Sequence, residues 1–169
     1  AGVPFPSTWG FDYYGGGAHV SENSELSMTD CVITNNSWGT GTFAGGVYCG
    51  GDGSHVDLVR CVISNNRAWA SGGGTLVDWY GTMSFDHCTI YGNSSDNFFG
   101  HQGGVSMANF GTVVVKSSII WANEGNDIGA FSAPYDQGTH ADVSYSCVDG
   151  GYSGTFIQTG DPLFSDLNE

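Results

Sequence analysis

Apolar residues recur along this chain in short period-two runs, and the runs come in sets of three. Each set opens on a glycine pair, as in Gly16-Gly17-Ala18-His19-Val20, Gly45-Gly46-Val47-Tyr48-Cys49, Gly73-Gly74-Thr75-Leu76-Val77 and Gly103-Gly104-Val105-Ser106-Met107. Alternation along a strand puts Ala18/Val20, Val47/Cys49, Thr75/Val77 and Val105/Met107 on one face. A second run of apolar-x-apolar form follows: Leu26/Met28, Val56/Leu58, Met83/Phe85, Val113/Val115 and Val143/Tyr145. The third run is Cys31-Val32-Ile33-Thr34-Asn35-Asn36, which returns beginning at Cys61, Cys88 and Ser118, at intervals of 30, 27 and 30 residues. Three short strands per repeat, with no helical period, predict an all-β solenoid, a parallel β-helix of about five coils of three short strands.

The same repeat assigns the remaining parts. Residues 1–14 form an irregular lead-in, 15–149 the coils and 150–169 an irregular closing segment of a single domain. Asn36, Asn66, Asn93 and Asn123 fall where the chain leaves the third strand. Asparagine tolerates the left-handed backbone such a bend needs, and amides one above another can form a ladder. Cys31, Cys61 and Cys88 share one position and are expected to stack as small interior residues. In-register strands about 4.8 Å apart do not by themselves forbid a disulfide between neighbouring coils. The outward positions of the third strand, Val32, Val62, Thr89, Ile119 and Val148, are apolar in four copies of five, which predicts a stripe covered by loops or by self-association.

The GG-x-apolar and C-x-I-x-x-N repeats lead into Ser118-Ile119-Ile120-Trp121-Ala122-Asn123, Val143-Ser144-Tyr145-Ser146-Cys147-Val148, Gly150-Gly151-Tyr152 and Asp161-Pro162-Leu163-Phe164. From Gly15 onward this resembles the right-handed parallel β-helix repeats of bacterial surface proteins, the polymorphic outer-membrane-protein-like and anchor-domain secreted proteins. The resemblance implies a right-handed coil and an extracellular or cell-surface protein, usually without assigned catalysis. No charged n-region with an apolar h-region precedes Ala1, so the chain is expected to be either mature or excised from something longer, and proteins of that group continue past Asp-Pro-Leu-Phe where this one stops at Glu169.

Charge narrows the partners. Three Lys+Arg against 17 Asp+Glu give a net charge of −14, which repels phosphate backbones and anionic headgroups and argues against nucleic-acid binding. No apolar run is long enough for membrane insertion as a helix. A lyase needs a base and a cation against its uronate substrate, and only Arg60, Arg67 and Lys116 carry permanent positive charge. Inverting hydrolysis needs two carboxyls about 6.5–9.5 Å apart, for which Asp57 and Asp86 are the candidates. The histidines His19, His55, His87, His101 and His140 form no column, and no zinc spacing occurs. No cofactor is called for; a calcium ion would find oxygens at Glu124, Asn126 and Asp127. Trp38, Trp69, Phe98 and Phe99 lie in the variable loops after the asparagine column, where an aromatic edge would stack sugars or meet a protein, unless the loops fold back and bury the rings.

These features point first to a non-catalytic structural or adhesive module, with self-association end to end into a filament or a cell-surface polysaccharide as partner. A carbohydrate-binding module and a polysaccharide lyase or hydrolase are the alternatives.

Overall fold

The computed structural model describes residues 13–37, 42–96, 102–130 and 137–163. Three five-stranded parallel sheets carry the coil. The first contains Ala18–Ser21, Val47–Gly50, Thr75–Asp78, Val105–Met107 and Ile128–Ala130. Glu25–Thr29, His55–Val59, Thr82–Asp86, Thr112–Lys116 and His140–Ser144 make the second. The third is built of Val32–Thr34, Val62–Ser64, Thr89–Tyr91, Ile119–Trp121 and Cys147–Val148. Strands of one sheet are adjacent in space and one repeat apart in sequence, so each coil rests on the one before. The expected five coils are five rungs, spanning about four full turns from first to last.

Alternation decides what lies inside. Val56 and Leu58, Met83 and Phe85, Val113 and Val115 stand in register on the second sheet and are buried. Ile33, Ile63, Ile90 and Ile120 do the same on the third. Together with Val20, Val47, Val77 and Val105 from the first sheet they form one continuous core. A second, smaller core of Ala44, Tyr48, Leu76 and Ala108 lies apart from it, with Phe43 packed against it.

The corners show why particular residues recur. Asp30, Arg60, His87, Ser117 and Tyr145 turn from the second sheet to the third with φ of 50–55°. The next residue then holds the turn: the side chains of Cys31, Cys61, Cys88, Ser118 and Ser146 each donate to the carbonyl two residues back, at 2.7–3.5 Å. The last three also accept from the coil below: Cys61 N donates to Cys88 Sγ at 3.4 Å, Cys88 N to Ser118 Oγ at 3.0 Å and Ser118 N to Ser146 Oγ at 3.1 Å. The column is therefore a polar ladder in which thiol and hydroxyl serve alike.

At the exit from the third sheet the left-handed residues are Asn35, Asn65, Gly92 and Ala122, one position before the asparagines expected to adopt it. The asparagines themselves stack. Nδ2 of Asn36, Asn66 and Asn93 donates to Oδ1 of Asn66, Asn93 and Asn123 at 2.9–3.0 Å, and each Oδ1 also accepts the backbone N–H of the asparagine below. The glycine pairs face this ladder without side chains because none fits: a Cβ on Gly74 would lie 2.7 Å from Gly104 O and 3.1 Å from Asn93 Nδ2.

The fifth coil departs from the expected register. Val113 and Val115 pair with Ala141 and Val143, so the inward pair is Ala141/Val143 and Tyr145 is an exposed corner residue. Likewise Ile119 and Ile120 pair with Cys147 and Val148. Val148 is therefore a buried member of the isoleucine column, not of the outward stripe, and Cys147 holds the outward place. The corner position that cysteine fills in earlier coils belongs here to Ser146. The closing segment is also less irregular than its sequence suggests: Thr155 and Gln158 bridge in parallel to Ser144 and Cys147, and Tyr152 and Ile157 pack on the core.

Candidate functional site

The corner between the first and second sheets carries exposed aromatic rings in consecutive coils. Trp79 and Tyr80 turn the third coil and Asn109 and Phe110 the fourth, all with positive φ, and Gly81 and Gly111 follow. Tyr80 N donates to Asn109 O at 3.1 Å, which locks the two corners in register. The rings of Tyr80 and Phe110 stack at 4.7 Å with an interplanar angle of 2°, while remaining 53% and 41% exposed. Gly138 of the next corner leaves room for the Phe110 ring, which a Cβ there would strike.

Beneath these rings lies Asp78, buried at the end of its strand. Its Oδ1 accepts from Asn109 Nδ2 and from Trp79 N, both at 2.8 Å. Burial pushes its pKa up to about 6 against those two hydrogen bonds, which pull the other way. The carboxyl fixes the aromatic corner by gripping one residue from each of its two coils. The site is thus a ridge of rings on a rigid base, suited to face-on or edge contact with a flat ligand or a protein.

The outward face of the second sheet holds a different cluster. His55 Nδ1 lies 2.6 Å from Thr82 Oγ1 and His55 Nε2 lies 3.0 Å from Asp57 Oδ1, which also accepts from Ser84 Oγ. Those hydrogen bonds, Ser84 first, and His55 hold the Asp57 carboxyl below its ordinary range. The order hydroxyl, imidazole, carboxylate is that of a nucleophilic relay. Acyl transfer also needs donors aimed at an oxyanion, and the nearest strand amides, Thr82 N and His55 N, are bonded to Ser54 O and Ser24 O at 3.0 Å. The cluster ties two coils through His55–Thr82 and Ser84–Asp57, with His55–Asp57 inside one strand, on the outward face of the sheet.

Asp57 and Asp86 stand on neighbouring rungs two residues apart along the strand, since Ser84 pairs with Asp57 and Asp86 with Val59. Asp86 is held by its neighbour His87 at 2.8 Å. The guanidinium groups are engaged between coils: Arg60 with Asp30 in a two-pronged pair at 2.7 and 2.8 Å, and Arg67 with Asp96 at 2.7 Å. Lys116 sits at an exposed strand end, in register with Asp86 and Ser144.

Of the aromatic edge expected after the asparagine column, Trp38, Phe98 and Phe99 lie outside the described residues. Trp69 is half-buried in a loop whose amides Trp69 N and Ala70 N donate to Thr42 O. The outward stripe keeps Val32, 67% exposed, Val62, and the half-buried Ile119. The acid-bearing loop after Asn123 splits: Glu124 and Asn126 face solvent, whereas Asp127 turns inward and is buried. Asp127 Oδ1 accepts from Asn123 N and Nδ2 at 3.1 and 2.7 Å, and its Oδ2 accepts from Asp149 N at 3.0 Å. It thus completes the ladder in the coil where Gly151 replaces the asparagine, and burial raises its pKa. Among the described residues no three His, Cys, Asp or Glu side chains converge as a metal site.

The sequence carried a signal for the first corner in the paired triplets Tyr80-Gly81-Thr82 and Phe110-Gly111-Thr112, aligned in two coils. Nothing in the alternation marked Asp78 as buried, because its partner Asn109 belongs to the next coil.

No curated protein and no solved structure matches the chain. A family model described as the right-handed beta helix region matches residues 12–166, nearly the whole chain. With that match, three stacked parallel sheets and an asparagine ladder along one corner, the chain belongs to the right-handed β-helix family.

Proposed function

We propose that this β-helix is a non-catalytic structural or adhesive module of the extracellular space or cell surface, and that it makes contact through the aromatic corner at Trp79, Tyr80 and Phe110. One observation carries the reading: Arg60, Arg67, His55 and Asp57 are engaged with partners in neighbouring coils, whereas large rings stand exposed at the corner. The acidic balance of 17 Asp+Glu to 3 Lys+Arg suits a colloidally stable extracellular surface and a neutral or basic partner. The resemblance to bacterial surface repeats supports the location. Calcium is no part of this reading.

The bonding of Thr155 and Gln158 over the last rung favours lateral or partner contact over growth from that end, since an edge already paired does not recruit another strand. A carbohydrate is the partner this ridge suits best after a protein surface, because rings stack on sugars irrespective of charge. Incubation with neutral and uronate-containing polysaccharides separates this reading from the enzymatic one. No new reducing ends and no unsaturated product are expected; steady formation of either, abolished by Asp57→Asn or Asp86→Asn, overturns it.

A further inference from the structure

The corner ladder places three thiols in one column, Cys31, Cys61 and Cys88, all free. Their rungs are in register: Val62 N donates to Cys31 O and Thr89 N to Cys61 O, both at 2.9 Å. In-register rungs put neighbouring Cα atoms about 4.8 Å apart, inside the window a disulfide spans. The sulfurs of Cys61 and Cys88 lean toward the coil below. Cys61 Sγ lies 3.5 Å from Met28 O of the first coil, and Cys31 Sγ lies 3.3 Å from the adjoining carbonyl, Thr29 O. Access distinguishes the three. Cys31 is half-buried, while Cys61 and Cys88 are each 1% exposed.

We propose that Cys31 and Cys61 are a thiol–disulfide modification site, a staple between the first two coils that a small disulfide such as oxidised glutathione closes. The Cys31 thiolate attacks one sulfur of oxidised glutathione, expelling one glutathione thiolate and leaving a mixed disulfide on Cys31. The Cys61 thiolate then attacks the Cys31 sulfur and expels the second. Two protein thiols lose two electrons in all, the small disulfide gains them, and the two thiol protons pass to the departing thiolates. Only the accessible Cys31 admits the first step, and Cys61 is its ladder neighbour. Burial raises the pKa of Cys49 and Cys88, and burial with nearby carboxylates raises that of Cys147, which disfavours competing thiolates.

The column supplies its own control variants, because Ser118 and Ser146 fill the same position in the fourth and fifth coils with the same hydrogen bonds. The purified chain is treated with oxidised glutathione, alkylated, digested and mapped by mass spectrometry. A Cys31–Cys61 linked peptide is expected in the wild type and in Cys88→Ser. It should be absent in Cys31→Ser and Cys61→Ser and reversed by dithiothreitol, with the oxidised form melting about 5 °C higher. A Cys61–Cys88 link, glutathione persisting on Cys31 without transfer, or no modification at all overturns the proposal.

Discussion

At the residue scale, stability resides in side chains that complete a neighbouring coil. Asn93 accepts two bonds from Asn66 and donates to Ile63 O and Asn123 Oδ1, at 2.9–3.0 Å and out of solvent. Asn93→Ala strands those partners and is expected to cost about 3–4 kcal/mol in urea unfolding, against about 1 kcal/mol for half-buried Asn36→Ala at the ladder's start. Equal losses would contradict the ladder. Asp78 makes a prediction of the opposite sign. Its folded pKa of about 6 exceeds the ordinary 3.8, so the folded state holds the proton more tightly. Stability from this group is therefore full below the ordinary value and falls as pH rises to about 6. Asp78→Asn keeps an acceptor for Asn109 and Trp79, and should remove that slope and stabilise the chain at neutral pH by about 1–2 kcal/mol. Unfolding curves across this range, wild type against variant, check it. The asparagine column was legible because its spacing survives in four coils. The left-handed backbone one residue earlier was not, since Asn35, Asn65, Gly92 and Ala122 share no side chain.

At the element scale, the strands are too short to stand alone and exist because each is hydrogen-bonded to its counterpart one coil away. Backbone crowding at the glycine pairs follows. Gly74→Ala places a Cβ 2.7 Å from Gly104 O, and is expected to destabilise the fold by about 2–3 kcal/mol, measured by the shift in urea midpoint. Free tolerance of alanine there would mean that the coils are more widely spaced. Alternation sufficed to read the inward faces of the first four coils. It failed in the fifth, where Ala141 is a weak apolar marker and Tyr145 a strong one, so the second strand slipped by two residues, and the third slipped by one, which carried Val148 outward. The match of Cys147 to the earlier cysteines reinforced the slip, because serine does the same corner work and is invisible as such in a sequence.

At the scale of the whole molecule, a coil stack converts sequence repeats into columns, and columns of like chemistry become structural ladders. That leaves function to positions where the repeat is relaxed. The aromatic corner is one: coils one and two turn there with Glu22-Asn23 and Gly51-Asp52-Gly53, coils three and four with Trp79-Tyr80 and Asn109-Phe110. Trp38, Trp69, Phe98 and Phe99 follow the asparagine landmark of the repeat, whereas the rings at the first corner recur in only two coils. We propose this ridge as the adhesive surface. Its most direct test is the adsorption isotherm of the wild type and of the Tyr80→Ala/Phe110→Ala variant, with its fold checked by circular dichroism, on fixed bacterial cells and insoluble polysaccharides. A loss of about tenfold in affinity is expected for the variant, the equivalent of about 1.4 kcal/mol. Unchanged adsorption by a folded variant would contradict it.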